Sequence, residues 1–164
     1  MTSISRNSVV SLLFVASLLS GCVATDSAPP AAPLPTSTTY DAPKDKVWPL
    51  IVNEIGLEYP VRAIEKESGL ITTDFVTLDA GFDNMNAQRW IYPPSVMLGT
   101  WAGLRMSLKI LAVEPEPGKT MVTIKCHYEA FENNVSHSWM VADSNGSLEN
   151  GILTRIRAQL PAPK

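Results

Sequence analysis

Cysteine, histidine and clustered carboxylates are the residue types here that could do chemistry, and the chain holds few of them. Its 164 residues include two cysteines and two histidines. Cys126 adjoins His127, but neighbours on a strand point to opposite faces, so the two cannot share a metal ion. On an apolar face Cys126 reads as a small buried hydrophobe. His137 and Asp143 could meet in a loop, yet no HxxxH or CxxC ligand spacing is present. Asp74, Asp79 and Asp83 form a loose acidic run best read as a strand end and a solvated loop. There is no Gly-x-Ser-x-Gly, no Ser-x-x-Lys and no phosphate-cradling glycine loop. The expectation is a protein that is not an enzyme and has neither cofactor nor metal.

That leaves Cys22. It follows Leu19-Ser20-Gly21, which closes an apolar run, Val9 to Leu18, preceded by the single positive charge of Arg6. A positive start, a short apolar core and small residues at the cut make a secretory signal. The run is well short of the ~20 residues a spanning helix needs. Leu19-Ser20-Gly21-Cys22 resembles the lipobox of bacterial lipoproteins. In that family the cysteine sulfur is diacylated, the signal is removed before it, and the new amino terminus is usually acylated too. The resemblance implies a signal peptide over 1–21 and a palmitate-bearing anchor on Cys22. Val23, rather than aspartate, follows the cysteine, which implies the outer membrane, on its periplasmic face. With Cys22 carrying lipid, Cys126 has no partner for an internal disulfide, so packing must supply stability.

The net charge of −3, no more positive once Arg6 is removed, argues against nucleic acid as a partner. Residues 22–39 carry the acylated cysteine and a Pro/Ala-rich tether with Pro29, Pro30, Pro33 and Pro35. At about 3.1 Å per residue, positions 23–39 would reach roughly 50 Å from the membrane. Residues 40–164 then form one domain, with Thr36–Tyr40 able to add a short edge strand.

Val47, Leu50, Ile51 and Ile55 recur at helical spacing, with Asp41 as N-cap, Pro43 in the first turn, and Gly56 as the stop. Pro49 breaks one hydrogen bond within that helix. Tyr59–Lys66 and Leu70–Leu78 read as a hairpin turning at Gly69. Two long strands follow, 101–114 and 121–131. Leu104, Met106, Leu108, Ile110 and Ala112 face in, with Val122, Ile124, Cys126, Tyr128 and Ala130. Arg105, Ser107, Lys109, Thr123, Lys125, His127 and Glu129 face out, the alternation of a sheet with one wet face. A polar stretch, Glu132–Gly146, leads to a closing helix capped by Ser147 with the stripe Leu148, Ile152, Ile156 and Leu160. The order β-α-β-β-β-β-α predicts an α+β fold, an antiparallel sheet with two helices packed on one face.

The segment 79–100 shows neither period, and loops this long are commonly functional. It carries Phe82, Trp90 and Tyr92, with Met85, Met97 and Pro93-Pro94, so it either covers the open sheet or offers an aromatic patch to a partner. An extra strand around Gln88–Tyr92 is a further option.

The helix holding Val47-Trp48, the hairpin Gly69-Leu70-Ile71-Thr72-Thr73-Asp74 and the Gly146–Glu149 start of the last helix are similar to BamC-like domains. These are helix-grip modules of a lipoprotein in the outer-membrane β-barrel assembly machinery. The resemblance implies a helix-grip-like fold and a non-enzymatic, protein-binding lipoprotein. That family's best-known member carries two such domains, whereas this chain has one. The favoured reading gives it an envelope protein as partner. Phe82, Trp90 and Tyr92 are the candidate contact residues. The alternative function is binding of an apolar small molecule in a cavity between sheet and helices. A partner surface should expose Trp90 and Tyr92; a ligand site should turn them inward around roughly 300 Å³ or more.

Overall fold

The computed structural model describes residues 32–78, 89–92, 94 and 100–161. The signal segment, Cys22, Asp79, Phe82, Asp83, Met85, Pro93 and Met97 lie outside them. Among the described residues are eight strands and two helices: β1 Ser37–Tyr40, α1 Lys44–Glu58, β2 Val61–Glu65, β3 Leu70–Thr73, β4 Val76–Leu78, β5 Ile91–Tyr92, β6 Trp101–Glu116, β7 Lys119–Glu132, β8 Ser138–Ser144 and α2 Ser147–Gln159. The class is α+β, with an antiparallel sheet in the order β2-β3-β6-β7-β8-β5. β4 continues along the edge of β6 beside β3, and β1 shares an edge of β7 with β8.

The long hairpin β6–β7 is the frame, and its alternation is the one expected from the sequence. Leu104, Met106, Leu108, Ile110, Ala112, Val122, Ile124, Tyr128 and Ala130 are buried. Against them pack Val47, Trp48, Ile51 and Ile55 of α1 and Ile152, Leu153 and Ile156 of α2. Each valine, leucine, isoleucine or methionine among them contributes about 1.5–3 kcal/mol of apolar transfer energy.

Several details depart from expectation. Helix α1 starts at Lys44, with Pro43 rather than Asp41 at the N-cap; the Pro43 carbonyl accepts from both Lys46 N and Val47 N. Gly56 does not stop the helix, which runs on to Glu58. The stop is Tyr59, extended at φ −129° and ψ 143°, because the ring of Pro60 disfavours a helical residue before it.

The expected strand 70–78 breaks in two. Asp74 N turns away to Pro60 O at 2.9 Å, and the Thr73 hydroxyl accepts Leu108 N at 2.8 Å in place of a ladder carbonyl. Pairing resumes one residue out of step, from Thr72 opposite Lys109 to Val76 opposite Met106. The polar stretch 132–146 contains a strand, β8, paired with β7 from Tyr128–Ala142 to Glu132–Ser138. Its pattern was hidden because both faces are apolar: Ala142 is buried and Met140 half-buried, while Trp139 and Val141 face out. The optional strand near Gln88–Tyr92 is the two-residue β5, opposite Asp143 and Ser144. The described order is therefore β-α-β-β-β-β-β-β-β-α rather than β-α-β-β-β-β-α.

Two strands share one edge of β7, and they leave a gap. β1 pairs with Thr120–Thr123 and β8 with Tyr128–Glu132. In between, Ile124 N donates to Thr36 O at 2.9 Å. Cys126 N has no strand partner there and donates instead to Glu149 Oε1 of α2 at 3.3 Å. Glu149 is only 1% exposed, and its Oε2 accepts the Ser144 hydroxyl of β8 at 2.9 Å. The buried face of α2 is thus Glu149, Ile152, Leu153 and Ile156, with Leu148 and Leu160 only partly buried. Ser147 is the first helical residue rather than the cap; Gly146 holds the cap at φ 81°, and Ser147 N donates to Asn145 Oδ1. A side chain at Gly146 would strike Leu34 O, because the segment entering β1 crosses there and Leu34 N bonds to Asn145 O at 2.9 Å. The ordered backbone thus begins before residue 40.

Glu149→Ala should strand the Cys126 amide and the Ser144 hydroxyl in the interior and destabilise the fold by about 1–3 kcal/mol. A urea unfolding curve reads this as a lower midpoint; an unchanged midpoint would contradict the role given to the carboxylate.

Candidate functional site

With both helices on the inner face, the outer face of the sheet carries a linked cluster of charged and aromatic side chains. β6 and β7 place Gly103 opposite Phe131, Arg105 opposite Glu129 and Ser107 opposite His127. β8 adds Trp139 beside Phe131 and Val141 beside Glu129. The Arg105 guanidinium lies 4.8 Å from the Phe75 ring and 4.4 Å from the Trp139 ring. Its Nε donates to Glu129 Oε2 at 2.6 Å, and Nη2 joins the same carboxylate. Glu129 Oε1 meets His127 Nε2 at 3.1 Å, and the Phe75 ring stands edge-on to His127, centroids 5.8 Å apart. Burial by itself would raise the Glu129 carboxyl, but the bonds from His127 and Arg105 hold it below the usual carboxylate range. Gly103 leaves room for the Trp139 ring, whose Cη2 would lie 3.4 Å from a Cβ there. Phe75 and Trp139 nonetheless remain 46% and 37% exposed. An arginine fixed between two exposed rings is a composition common at protein contact surfaces.

Glu132 shapes the rim of this face. It ends β7, is covered by its own following loop, and accepts Thr100 N, Asn134 N, Val135 N, Ser136 N and the Ser136 hydroxyl. Desolvation would raise its carboxyl, but the four backbone amides outweigh that and bring it down to about 2. His137, at φ 48°, completes the turn into β8.

At the other end of β8, the candidates Trp90 and Tyr92 flank and occupy β5. Trp90 O accepts Asn145 N at 3.1 Å, and Tyr92 lies opposite Asp143; both side chains are half-buried. The Arg89 guanidinium covers the Trp90 ring at 4.9 Å. Arg89 and Trp90, with Ser147, Leu148, Gly151 and Arg155 of α2, line an open groove of about 320 Å³. Arg155 is held at the groove by Glu54 and Glu58 of α1. A second groove, about 380 Å³, runs between β1 and the end of α2, where Arg157 lies 5.5 Å from the Tyr40 ring.

Between sheet and helices the space is filled by side chains, among them fully buried Ile51, Ile55, Leu108, Ile124 and Tyr128. The Cys126 thiol there contacts Met106 Sδ at 3.4 Å, and burial pushes it up to about 12, so it carries little thiolate. The Tyr128 hydroxyl, also raised by burial, has no hydrogen-bond partner among the described residues.

The other sequence candidates stay apart. Cys126 faces in and His127 faces out. His137 and Asp143 lie at opposite ends of β8, about 20 Å apart along an extended strand. Asp74 is exposed beside Phe75, while Asp79 and Asp83 lie outside the described residues, as do Cys22 and Phe82. Sequence reasoning missed Phe75, Trp139 and Val141 as a surface cluster. The available signal was the i, i+2 spacing of Trp139 and Val141, with Phe75 at the strand break.

No family model matches the chain, and no curated protein matches it.

Because Glu132 is depressed when folded, its stabilisation is present above the ordinary carboxylate range, near 4.5, and is lost as pH falls toward about 2. Glu132→Gln should lower thermal stability at pH 7 and flatten the fall in stability between pH 5 and 2. An unaltered acid profile would remove Glu132 as the loop's anchor.

Proposed function

We propose that the protein is a non-enzymatic lipoprotein of the outer membrane, facing the periplasm, that serves as an interaction or scaffold module in an envelope assembly complex. In this reading Cys22 carries the lipid, the Pro-rich tether spaces one BamC-like, helix-grip-like domain, and an envelope protein docks on that domain. The observation that carries the interaction half is the Arg89–Trp90 pair, a cation over a half-exposed indole at the mouth of a groove. Tryptophan and arginine dominate contact energies when they seat in such pockets. Asn145 N bonds the Trp90 carbonyl on one side of the groove, and the Glu54–Arg155 pair ties down its helical wall on the other. A filled sheet–helix interior gives the apolar-ligand alternative no comparable support.

Labelled palmitate should enter the wild-type chain and not Cys22→Ser; labelling of both, or of neither, would remove the anchor. In native membranes, a crosslinked envelope partner should be recovered with wild type and reduced at least about 30-fold by Trp90→Ala/Tyr92→Ala, the loss expected for a contact worth 2 kcal/mol or more. Equal recovery with both forms would displace the contact from β5.

A further inference from the structure

The outer sheet face has features that an internal packing role does not explain. Lys109 of β6 and Lys125 of β7 stand directly opposite each other, both exposed. Like charges in that position destabilise a sheet. Neither lysine has a carboxylate partner among the described residues; the nearby Glu129 is taken by Arg105 and His127. The protein as a whole is acidic, at −3, yet here two unpaired cations stand side by side in the sheet. The same face exposes Leu111 and Met121 beside the lysines and, further along the hairpin, Phe75, Trp139 and Val141, the last by 63%.

We propose that this outer face rests on an anionic phospholipid bilayer, with Lys109 and Lys125 among the phosphates and Trp139, Phe75 and Val141 at the headgroup level. The inference rests on the lipid-anchor reading above. Charge complementarity selects the occupant: lysines near an anionic surface attract it, and exposed aromatic rings settle at the membrane–water boundary. The surface attraction would be a second membrane signal beside the acyl chains. It would also turn the helical layer, with the Trp90 groove on its flank, away from the lipid and toward a protein partner.

The full chain, purified from membranes and reconstituted into vesicles, tests this through an environment-sensitive fluorophore on Val141→Cys, with Leu57→Cys of α1 as the distal control. Leu57 is 79% exposed on the helical layer. The partly buried Cys126 thiol carries little thiolate, and any label it takes is read as background in the unsubstituted chain; acylation blocks Cys22. In vesicles of equimolar phosphatidylglycerol and phosphatidylcholine the Val141→Cys label should shift to the blue and the Leu57→Cys label should not. Phosphatidylcholine alone, or Lys109→Gln/Lys125→Gln in the anionic vesicles, should abolish the shift. A chain that floats with the anionic vesicles while the Val141→Cys label stays water-like overturns the proposal, keeps the anchor, and leaves the face to a protein. A chain that does not float, and whose Cys22 takes the label, overturns both the anchor and this proposal.

Discussion

The hydrogen bond from Cys126 N to the buried carboxylate of Glu149 is the contact on which the packing of this domain turns. It exists because two short strands, β1 and β8, divide one edge of β7 and leave an amide between them. A buried backbone donor without a partner is costly, and a carboxylate in an apolar layer is costlier still. Each cancels the other's penalty, and the Ser144 hydroxyl satisfies the second carboxylate oxygen. The consequence is positional. Helix α2 can sit only where Glu149 reaches the gap, which seats Ile152, Leu153 and Ile156 on the sheet. The corner Ser144–Ser147 is fixed with it, and that corner receives both the incoming chain at Leu34 and the Trp90 carbonyl at β5.

Both surfaces of interest follow from this arrangement. Helix α2 supplies one wall of the Arg89–Trp90 groove. Because both helices are committed to the inner face, no helix covers the arginine, lysines and aromatic rings of the outer face. Glu132 performs a similar service at the far end of β8, folding residues 133–137 around one carboxylate so that Trp139 enters the sheet beside Phe131 and Gly103. Two buried glutamates, one at each end of β8, thus set the position of the strand that carries the exposed Trp139 and Val141.

What could be read from the sequence was what is local and periodic. The alternation in β6 and β7 identified inward and outward residues correctly, from Leu104 and Arg105 to Tyr128 and Glu129. Helices α1 and α2 were visible through their apolar stripes. The errors came where a non-local partner overrides the local pattern. Nothing in the local pattern marks Glu149 as a core residue; only the gap in the β7 edge makes it one, turning the buried stripe from Leu148 toward Leu153. β8 has apolar residues on both faces because its outer ones join a surface cluster built from β6, β7 and the break at Phe75. Gly56 was read as a terminator, although Pro60 is the residue that forces Tyr59 out of the helix. Trp90 was identifiable as a candidate from its setting in an aperiodic segment; its groove was not, since four of the lining residues come from α2.

The proposed docking of a protein partner at the Arg89–Trp90 groove can be tested in living cells. The most direct measurement places a photoreactive amino acid at Gly151, a groove position where an added Cβ meets nothing closer than the tip of Arg155 at 3.7 Å, and irradiates living cells. A discrete adduct with one envelope protein, lost when Trp90→Ala is added, is the predicted result. Irradiation that yields no protein adduct from position 151, with the chain folded and membrane-bound, would contradict the account.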